Sequence, residues 1–296
     1  MSGGIARVGI VAKRGLAAAD HLGALGAWLQ ERGIQAVYEI ETAALAKARA
    51  TDGIAICSRD DLPRHVDLIV VLGGDGTLLG MATRIAGAAR DIPILGVNFG
   101  SLGFLTETRI DELYPTLQAT LDGAAVFDER ALLSADAFRD GAAFDHRIVL
   151  NDVVFTKAAL SRIIELSVSV SSGPVTRVKA DGLIVASTTG STAYNLAAGG
   201  PIVHPRVNAI VLTPIASHTL TNRPIVIPGT EVIEVRPYMN ADADEIYVTY
   251  DGQSGYPLQR GDRVRVRMSE RRLRLVKAPA RNYYELLRQK LKWGER

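Results

Sequence analysis

Residues 66 to 79 read VDLIVVLGGDGTLL, and the fold turns on how this stretch divides. From Val66 to Leu72 it is apolar except for Asp67, which suits a strand buried on both faces. The run stops at Gly73-Gly74-Asp75-Gly76-Thr77. After Thr77, the residues Leu78, Met81 and Ile85 recur at helical spacing. A glycine-rich turn between a buried strand and a helix gathers backbone N–H groups, which is how proteins commonly hold a phosphate. Here a carboxylate sits in the middle of it.

The turn lacks the G-x-x-x-x-G-K-[ST] lysine of a P-loop and the G-x-G-x-x-G spacing of a dinucleotide fold. Gly73, Gly74 and Gly76 still allow positive φ and close approach by a ligand. A helix starting near Thr77 points its free N–H groups and positive dipole end at that ligand. An ionised carboxylate at Asp75 is an acceptor, so the motif suits a ligand with a hydroxyl next to a phosphate. Asp-Gly occurs six times in the chain, and the dipeptide alone reads as a turn; what distinguishes Asp75-Gly76 is its place between strand and helix.

Around this stretch the first 125 residues alternate. Strands are expected at 7–13, 34–40, 66–73 and 92–98, and helices at 18–32, 42–50, after Thr77 and at 111–123. Such alternation predicts an α/β Rossmann-like domain with an open parallel sheet. From residue 126 to 278 the texture is β-branched and punctuated by Gly, Pro and Asp, which predicts an all-β sandwich domain. Within it, RVRVRM (263–268) sets Arg263, Arg265 and Arg267 on one strand face and Val264, Val266 and Met268 on the other. That pattern reads as a solvated face over a buried one. The last segment, 279–296, predicts an amphipathic C-terminal helix with Tyr284, Leu287 and Leu291 on one face, packing back on the N-terminal domain.

Composition narrows the classes. The chain has 296 residues, 47% hydrophobic and 22% charged, with a net charge of +2. These values suit a globular protein and give no electrostatic reason to expect nucleic acid. No apolar stretch is long enough to span a membrane, and the N-terminus lacks a signal-peptide pattern. A single cysteine, Cys57, excludes an internal disulfide framework and a cysteine-cluster metal site. A cytoplasmic protein is expected.

A second candidate stretch is KADGLIVASTTGSTAYNLAAGG (179–200), in which six Ser, Thr and Gly residues precede a short helix. They cap the helix or form a second polar site, and the pattern leaves both open. Asp181 lies just ahead of this strand. Asn151-Asp152 interrupts the apolar run IVLNDVVF, where a polar pair must be satisfied by a bulge, a network or a ligand. Tyr250-Asp251-Gly252-Gln253 reads as a hairpin turn. The five histidines show no metal-ligand spacing.

Taken in order, GGDGT (73–77), Asn151-Asp152, DGLIVASTTGSTAYNLAAGG (181–200) and YDGQ (250–253) resemble the NAD kinase family, with VNFGSLGFL (97–105) a further match. GGDG turns also occur in diacylglycerol, sphingosine and 6-phosphofructokinase relatives; the TTGSTAYNLAAGG block separates the NAD kinases from them. The resemblance implies a Rossmann-like domain, a β-sandwich domain and an active site between them. It implies phosphoryl transfer from ATP, with a divalent metal such as Mg²⁺, to the 2′-hydroxyl of the adenosine ribose of NAD.

Carried over by position, Asp75 is the general base and meets NAD with Gly76. Gly73, Gly74, Gly76 and Thr77 form the phosphate loop, and Asn151 and Asp152 hold the ribose. Asp181, Thr192, Ala193, Tyr194, Asn195, Leu196 and Ala197 line the adenine and nicotinamide sites, with Arg162, Lys179 and Gln253 around them. Position 152 is Asp where Glu is commoner, and position 179 is Lys where proteobacterial relatives carry Arg, which loses the planar fork. Spacing shows no metal site within the chain; Mg²⁺ would be held by substrate phosphates and water. Homodimers or homotetramers are common in the family. The competing readings are a diacylglycerol-type lipid kinase and a non-catalytic NAD(P) sensor.

Overall fold

The computed structural model describes residues 4–88, 90–100, 102–158, 163–219, 221–239, 245–278 and 282–293. The chain divides into two compact units, Met1–Glu129 with Leu273–Arg296, and Arg130–Arg272. The second unit thus begins four residues later and ends six residues earlier than the 126–278 expected from composition.

The first unit alternates strand and helix: β1 (Arg7–Ala12), α1 (Ala19–Gln30), β2 (Gln35–Glu39), α2 (Ile40–Ala46), β3 (Ile54–Cys57), α3 (Leu62–His65), β4 (Leu68–Leu72), α4 (Asp75–Gly87), β5 (Ile94–Asn98), β6 (Thr108–Arg109) and α5 (Leu113–Leu121). Strands β5-β4-β1-β2-β3 lie side by side, and every pair among them is parallel. All five residues of β4 are buried, because helices cover both faces of the sheet. One face packs Val8, Ile10, Val70, Leu72 and Leu95 against Leu22, Leu25 and Leu29 of α1.

Strand order proceeds outward from β1 to β3 on one side, and from β4 to β5 on the other. The reversal falls between β1 and β4, where open α/β sheets bind ligands beyond the strand ends. The GGDGT turn leaves β4 at that point. Sequence periodicity missed β3 and α3. β3 has only four residues, none fully buried, so it shows neither a continuous apolar run nor a clean alternation.

The second unit holds β7 (Phe127–Arg139), which begins just ahead of it, β8 (Ala142–Val149), β9 (Asp152–Lys157), β10 (Ile164–Val170), β11 (Gly173–Ala180), β12 (Gly182–Ser187), α6 (Tyr194–Ala197), β13 (Ala209–Ile215), β14 (Ile225–Pro228), β15 (Ile233–Tyr238), β16 (Ile246–Tyr250), β17 (Ser254–Leu258) and the start of β18 (Arg263–Val276). One antiparallel sheet runs β14-β13-β12-β9-β16-β17; the other pairs β11-β10-β15-β18. Inward residues of both, such as Phe155, Leu183, Val185 and Val248 against Leu166, Val235, Val264 and Val266, form one core. This is a sandwich. Val264 and Val266 are fully buried while the Arg265 guanidinium bonds Glu234 at 2.7 Å, the two-faced pattern that RVRVRM predicts.

Leu273 to Val276, the end of β18, belong to the first unit, where Leu275 pairs in parallel with Ile94. α7 (Tyr283–Leu291) follows, closed at its start by a reciprocal Asn282–Glu285 capping box. Its buried residues are Leu286 and Leu287, whereas Tyr284 is 60% exposed, so the apolar face is rotated from the one expected. Lys290 of this helix lies 5.9 Å from the centre of the Phe104 ring. No helix among the described residues is long and apolar enough to cross a membrane.

Candidate active site

The first group of chemistry-bearing residues lies beyond β4. α4 begins at Asp75, two residues earlier than the sequence suggests, so the carboxylate occupies the first helical position. The glycines permit positive φ, but none of Gly73, Gly74 and Gly76 adopts it. Sterics explain the first glycine: a Cβ at Gly73 would lie 2.9 Å from Thr77 Oγ1 and 3.0 Å from Lys13 Cβ. Gly74 and Gly76 face open space, and a ligand can approach their backbone without meeting side chains.

Asp75 turns toward the loop that follows β5. Its Oδ1 accepts from the backbone N–H groups of Leu105 (3.1 Å) and Thr106 (3.0 Å) and from Thr106 Oγ1 (2.9 Å). Its Oδ2 accepts one bond, from the Phe104 N–H at 2.8 Å. All four partners are donors, so the carboxylate serves here as an acceptor. Gly103 is required here, because a Cβ at that position would overlap Asp75 Oδ1. Gly103→Ala must therefore displace either the loop or the carboxylate. We expect turnover to fall about tenfold or more with the fold retained, checked by steady-state kinetics beside circular dichroism.

The second group lies in the sandwich. A cavity of about 370 Å³ is lined by Asn151, Asp152, Val154, Thr156, Ala193, Tyr194, Thr249, Asp251 and Gly252. Its floor depends on the hairpin at 250–253. Asp251 and Gly252 have φ of 52° and 61°, and Gln253 N–H closes the turn on the Tyr250 carbonyl at 2.9 Å. This places the Asp251 carboxylate against the break between β8 and β9. There it accepts from the N–H groups of Leu150 (2.8 Å), Asn151 (2.7 Å) and Asp152 (3.0 Å). The polar interruption in IVLNDVVF is thus a strand break held by an acid from a hundred residues downstream. Gly190 packs on the same break: a Cβ there would overlap the Asn151 carbonyl oxygen.

Asp152 is 4% exposed. Burial, and secondly the charge of Asp251, push its carboxyl from 3.8 up to about 7. Burial also raises Asp251, against the pull of its three backbone N–H donors. The folded protein therefore keeps the Asp152 proton at pH values where the unfolded chain has released it. The associated stability is fully present below about pH 3.8 and is lost as pH rises through about 7. Urea denaturation across that window is expected to show wild-type stability declining with pH. Asp152→Asn, which cannot ionise, should give a flatter curve.

The other sequence candidates are placed as follows. Asn151, Asp152, Ala193 and Tyr194 meet at the cavity. Asn195 does not line it: fully buried, its amide nitrogen donates to the Ser191 and Pro201 carbonyls and its oxygen accepts from Thr213 Oγ1 at 2.6 Å. The hydroxyl-rich 187–192 segment is largely turned inward. Ser187 Oγ donates to the Leu150 carbonyl and accepts from Gly190 N–H, while Ser191 and Thr192 bond carbonyls of their own turn.

Asp181 pairs with Lys157 at 3.0 Å, and Lys179 lies 3.4 Å from Glu165 on the β11 side of the other sheet. Leu196 is half-buried, and Ala197 and Gln253 are exposed, outside the lining set. Arg162 lies outside the described residues.

Asp251, Thr156 and Thr249 are lining residues that sequence reasoning missed. For Thr156 a signal exists: Asp152, Val154 and Thr156 alternate with the core residues Val153 and Phe155, so they share the outer face. Among the described residues no group of three His, Cys, Asp or Glu gathers to hold a metal ion.

The profile of the ATP-NAD kinase N-terminal domain matches residues 8–125, and that of the ATP-NAD kinase C-terminal domain matches residues 150–278. An NAD kinase of Geobacter sulfurreducens is 48% identical over 270 residues, covering 91% of this chain and 92% of the relative. An NAD kinase of Syntrophotalea carbinolica is 44% identical over 295 residues, covering 98% of this chain and 99% of the relative. Among solved structures, a yeast NADH kinase complexed with NADH aligns with a TM-score of 0.89 at 23% identity, covering 100% of this chain and 89% of that one. An NAD kinase from Archaeoglobus fulgidus in complex with ATP gives 0.74 at 23% identity, covering 96% and 99%. These two likenesses bear on the fold, and the sequence matches extend the kinship to both halves: the chain belongs to the NAD kinase family.

Proposed function

We infer that this chain is an NAD kinase, taking NAD and ATP as substrates. Its curated relatives carry that activity at 43% to 48% identity, over most of the chain. They favour neither the lipid-kinase nor the sensor reading. The observation in the molecule that supports it most is GGDGT at the sheet's switch point, with open backbone at Gly74 and Gly76 and an acceptor carboxylate between them.

In the proposed reaction the 2′-hydroxyl oxygen of the adenosine ribose bonds to the γ-phosphorus of ATP, and the bond from that phosphorus to the bridging oxygen breaks. ADP leaves with the electron pair, and Asp75 takes the hydroxyl proton. Gly74 and Gly76 bring their open backbone and the positive end of α4 to the phosphates, while Gly73 and Thr77, whose N–H groups donate to the Val97 and Gly74 carbonyls at 2.8 and 3.0 Å, shape the phosphate loop. Asn151 and Asp152 bind the ribose, and Ala193 and Tyr194 bound the base. Asn195 acts by holding the 191–201 loop in shape. Gly76, Asp181, Thr192, Leu196, Ala197, Lys179, Arg162 and Gln253 remain part of the proposed NAD site on the family's pattern.

A divalent ion, Mg²⁺, is proposed to arrive on the phosphates of ATP and neutralise their charge. In this reading the ion is held by the substrate's phosphates and water. We also propose a cytoplasmic homodimer or homotetramer, which light scattering on the purified protein would test. Phosphorus NMR of the product tests the reaction: a new monophosphate resonance at the 2′ position of the adenosine ribose supports it, and phosphorylation elsewhere or nowhere contradicts it.

A further inference from the structure

The loop after β5 does more than surround Asp75. Asn98 Oδ1 accepts the Gly100 N–H at 2.7 Å, which fixes which end of the amide carries the oxygen. Asn98 Nδ2 therefore faces Thr106 and donates to its Oγ1 at 3.0 Å. A threonine hydroxyl has a single proton to give. With Asn98 donating in, and an acceptor-only carboxylate 2.9 Å away, that proton points at Asp75 Oδ1. Thr106 is fully buried, so water does not compete for it.

The two oxygens of Asp75 are consequently unequal. Oδ1 takes three donors and lies against Gly103, where a single Cβ would overlap it. Oδ2 takes one. A carboxylate oxygen offers about two lone-pair directions, so Oδ1 is saturated and Oδ2 has capacity left.

The geometry points to Asn98 and Thr106 as a positioning relay that commits Asp75 Oδ1 to the protein and leaves Oδ2 as the oxygen that meets the substrate hydroxyl. This rests on the reading of Asp75 as the base. On transfer, the hydroxyl proton passes to Oδ2 as the new O–P bond forms, and the relay keeps that oxygen aimed while the charge on the carboxylate is lost.

The test compares kcat and KM for NAD in five variants, with melting temperatures measured alongside. Thr106→Val keeps volume and removes the hydroxyl; we expect kcat to fall about tenfold to a hundredfold, with KM for NAD within about twofold of wild type. Thr106→Ser restores the hydroxyl, and kcat should return to within about threefold of wild type. Asn98→Ala should lower kcat by itself yet add nothing in the Thr106→Val background, because both act through one bond.

Wild-type kcat in Thr106→Val, or full additivity with Asn98→Ala, overturns the relay. Should Thr106→Val not fold, an unchanged kcat in Asn98→Ala overturns it equally. Asp75→Asn separates the two readings. If it collapses turnover while the relay variants do not, the base stands and the relay falls; if it retains turnover, the base falls and the relay with it.

Discussion

Asp75→Asn is expected to lower kcat by at least about a hundredfold while the protein keeps its fold. The substitution preserves shape but removes the negative charge and the capacity to take a proton. It also places an NH₂ group among donors. Whichever way the amide turns, its nitrogen faces either the Phe104 N–H or the cluster of Leu105 and Thr106 N–H groups with the Thr106 hydroxyl. The less costly orientation puts oxygen at the crowded position and nitrogen at the position of Oδ2. That leaves a donor where the substrate hydroxyl needs an acceptor. Steady-state kinetics report the loss, and a melting temperature within a few degrees of wild type, about 2–4 °C per kcal/mol for a chain of this size, shows that the fold survives. Near-normal turnover would remove Asp75 from the chemistry.

Asp251→Ala should produce the largest loss of stability, about 3–5 kcal/mol. The substitution strips the acceptor from three N–H groups at the β8–β9 break and leaves a non-glycine residue without a polar side chain at φ 52°. Asp251→Asn should be milder. Its oxygen can keep the Asn151 and Asp152 bonds and loses only the one to Leu150, and asparagine tolerates left-handed backbone. Urea midpoints at unchanged m-value give the comparison, and calorimetry with NAD reads the cavity. Equal stability of wild type and Asp251→Ala would mean that water can replace the acid. The variant also relieves Asp152 of a neighbouring negative charge, so the Asp152 carboxyl should titrate lower than its wild-type value of about 7.

Much of the architecture was legible because each element was long enough to show its period. Continuous apolar runs marked β1, β4 and β5, and strict alternation marked the start of β18. β3 escaped because four half-exposed residues carry no pattern. The rotation of the buried face of α7 escaped because Leu286 and Leu287 are adjacent, and spacing alone did not say which of them sets it.

The site was legible only where its groups are local. GGDGT, Asn151-Asp152 and Ala193-Tyr194 stand out as residue types in unusual places. Asp251 did not, since an Asp-Gly hairpin explains itself, and nothing in the turn says that its carboxylate reaches residues 150 to 152. The Asn98–Thr106 pair was hidden likewise in a loop whose glycines draw attention instead. Asn195 shows the converse: a polar residue in a ligand-like motif is consumed by the loop that displays its neighbours. Reading a motif residue as a ligand contact is safe only once its own hydrogen bonds have been accounted for.

The measurement closest to the central claim is NADP formation by the purified wild-type chain given NAD and Mg-ATP, read through an NADP-specific glucose-6-phosphate dehydrogenase. The account predicts sustained formation of NADP that depends on both substrates. Protein that binds NAD by calorimetry yet forms no NADP would contradict it, and would return the chain to the sensor reading.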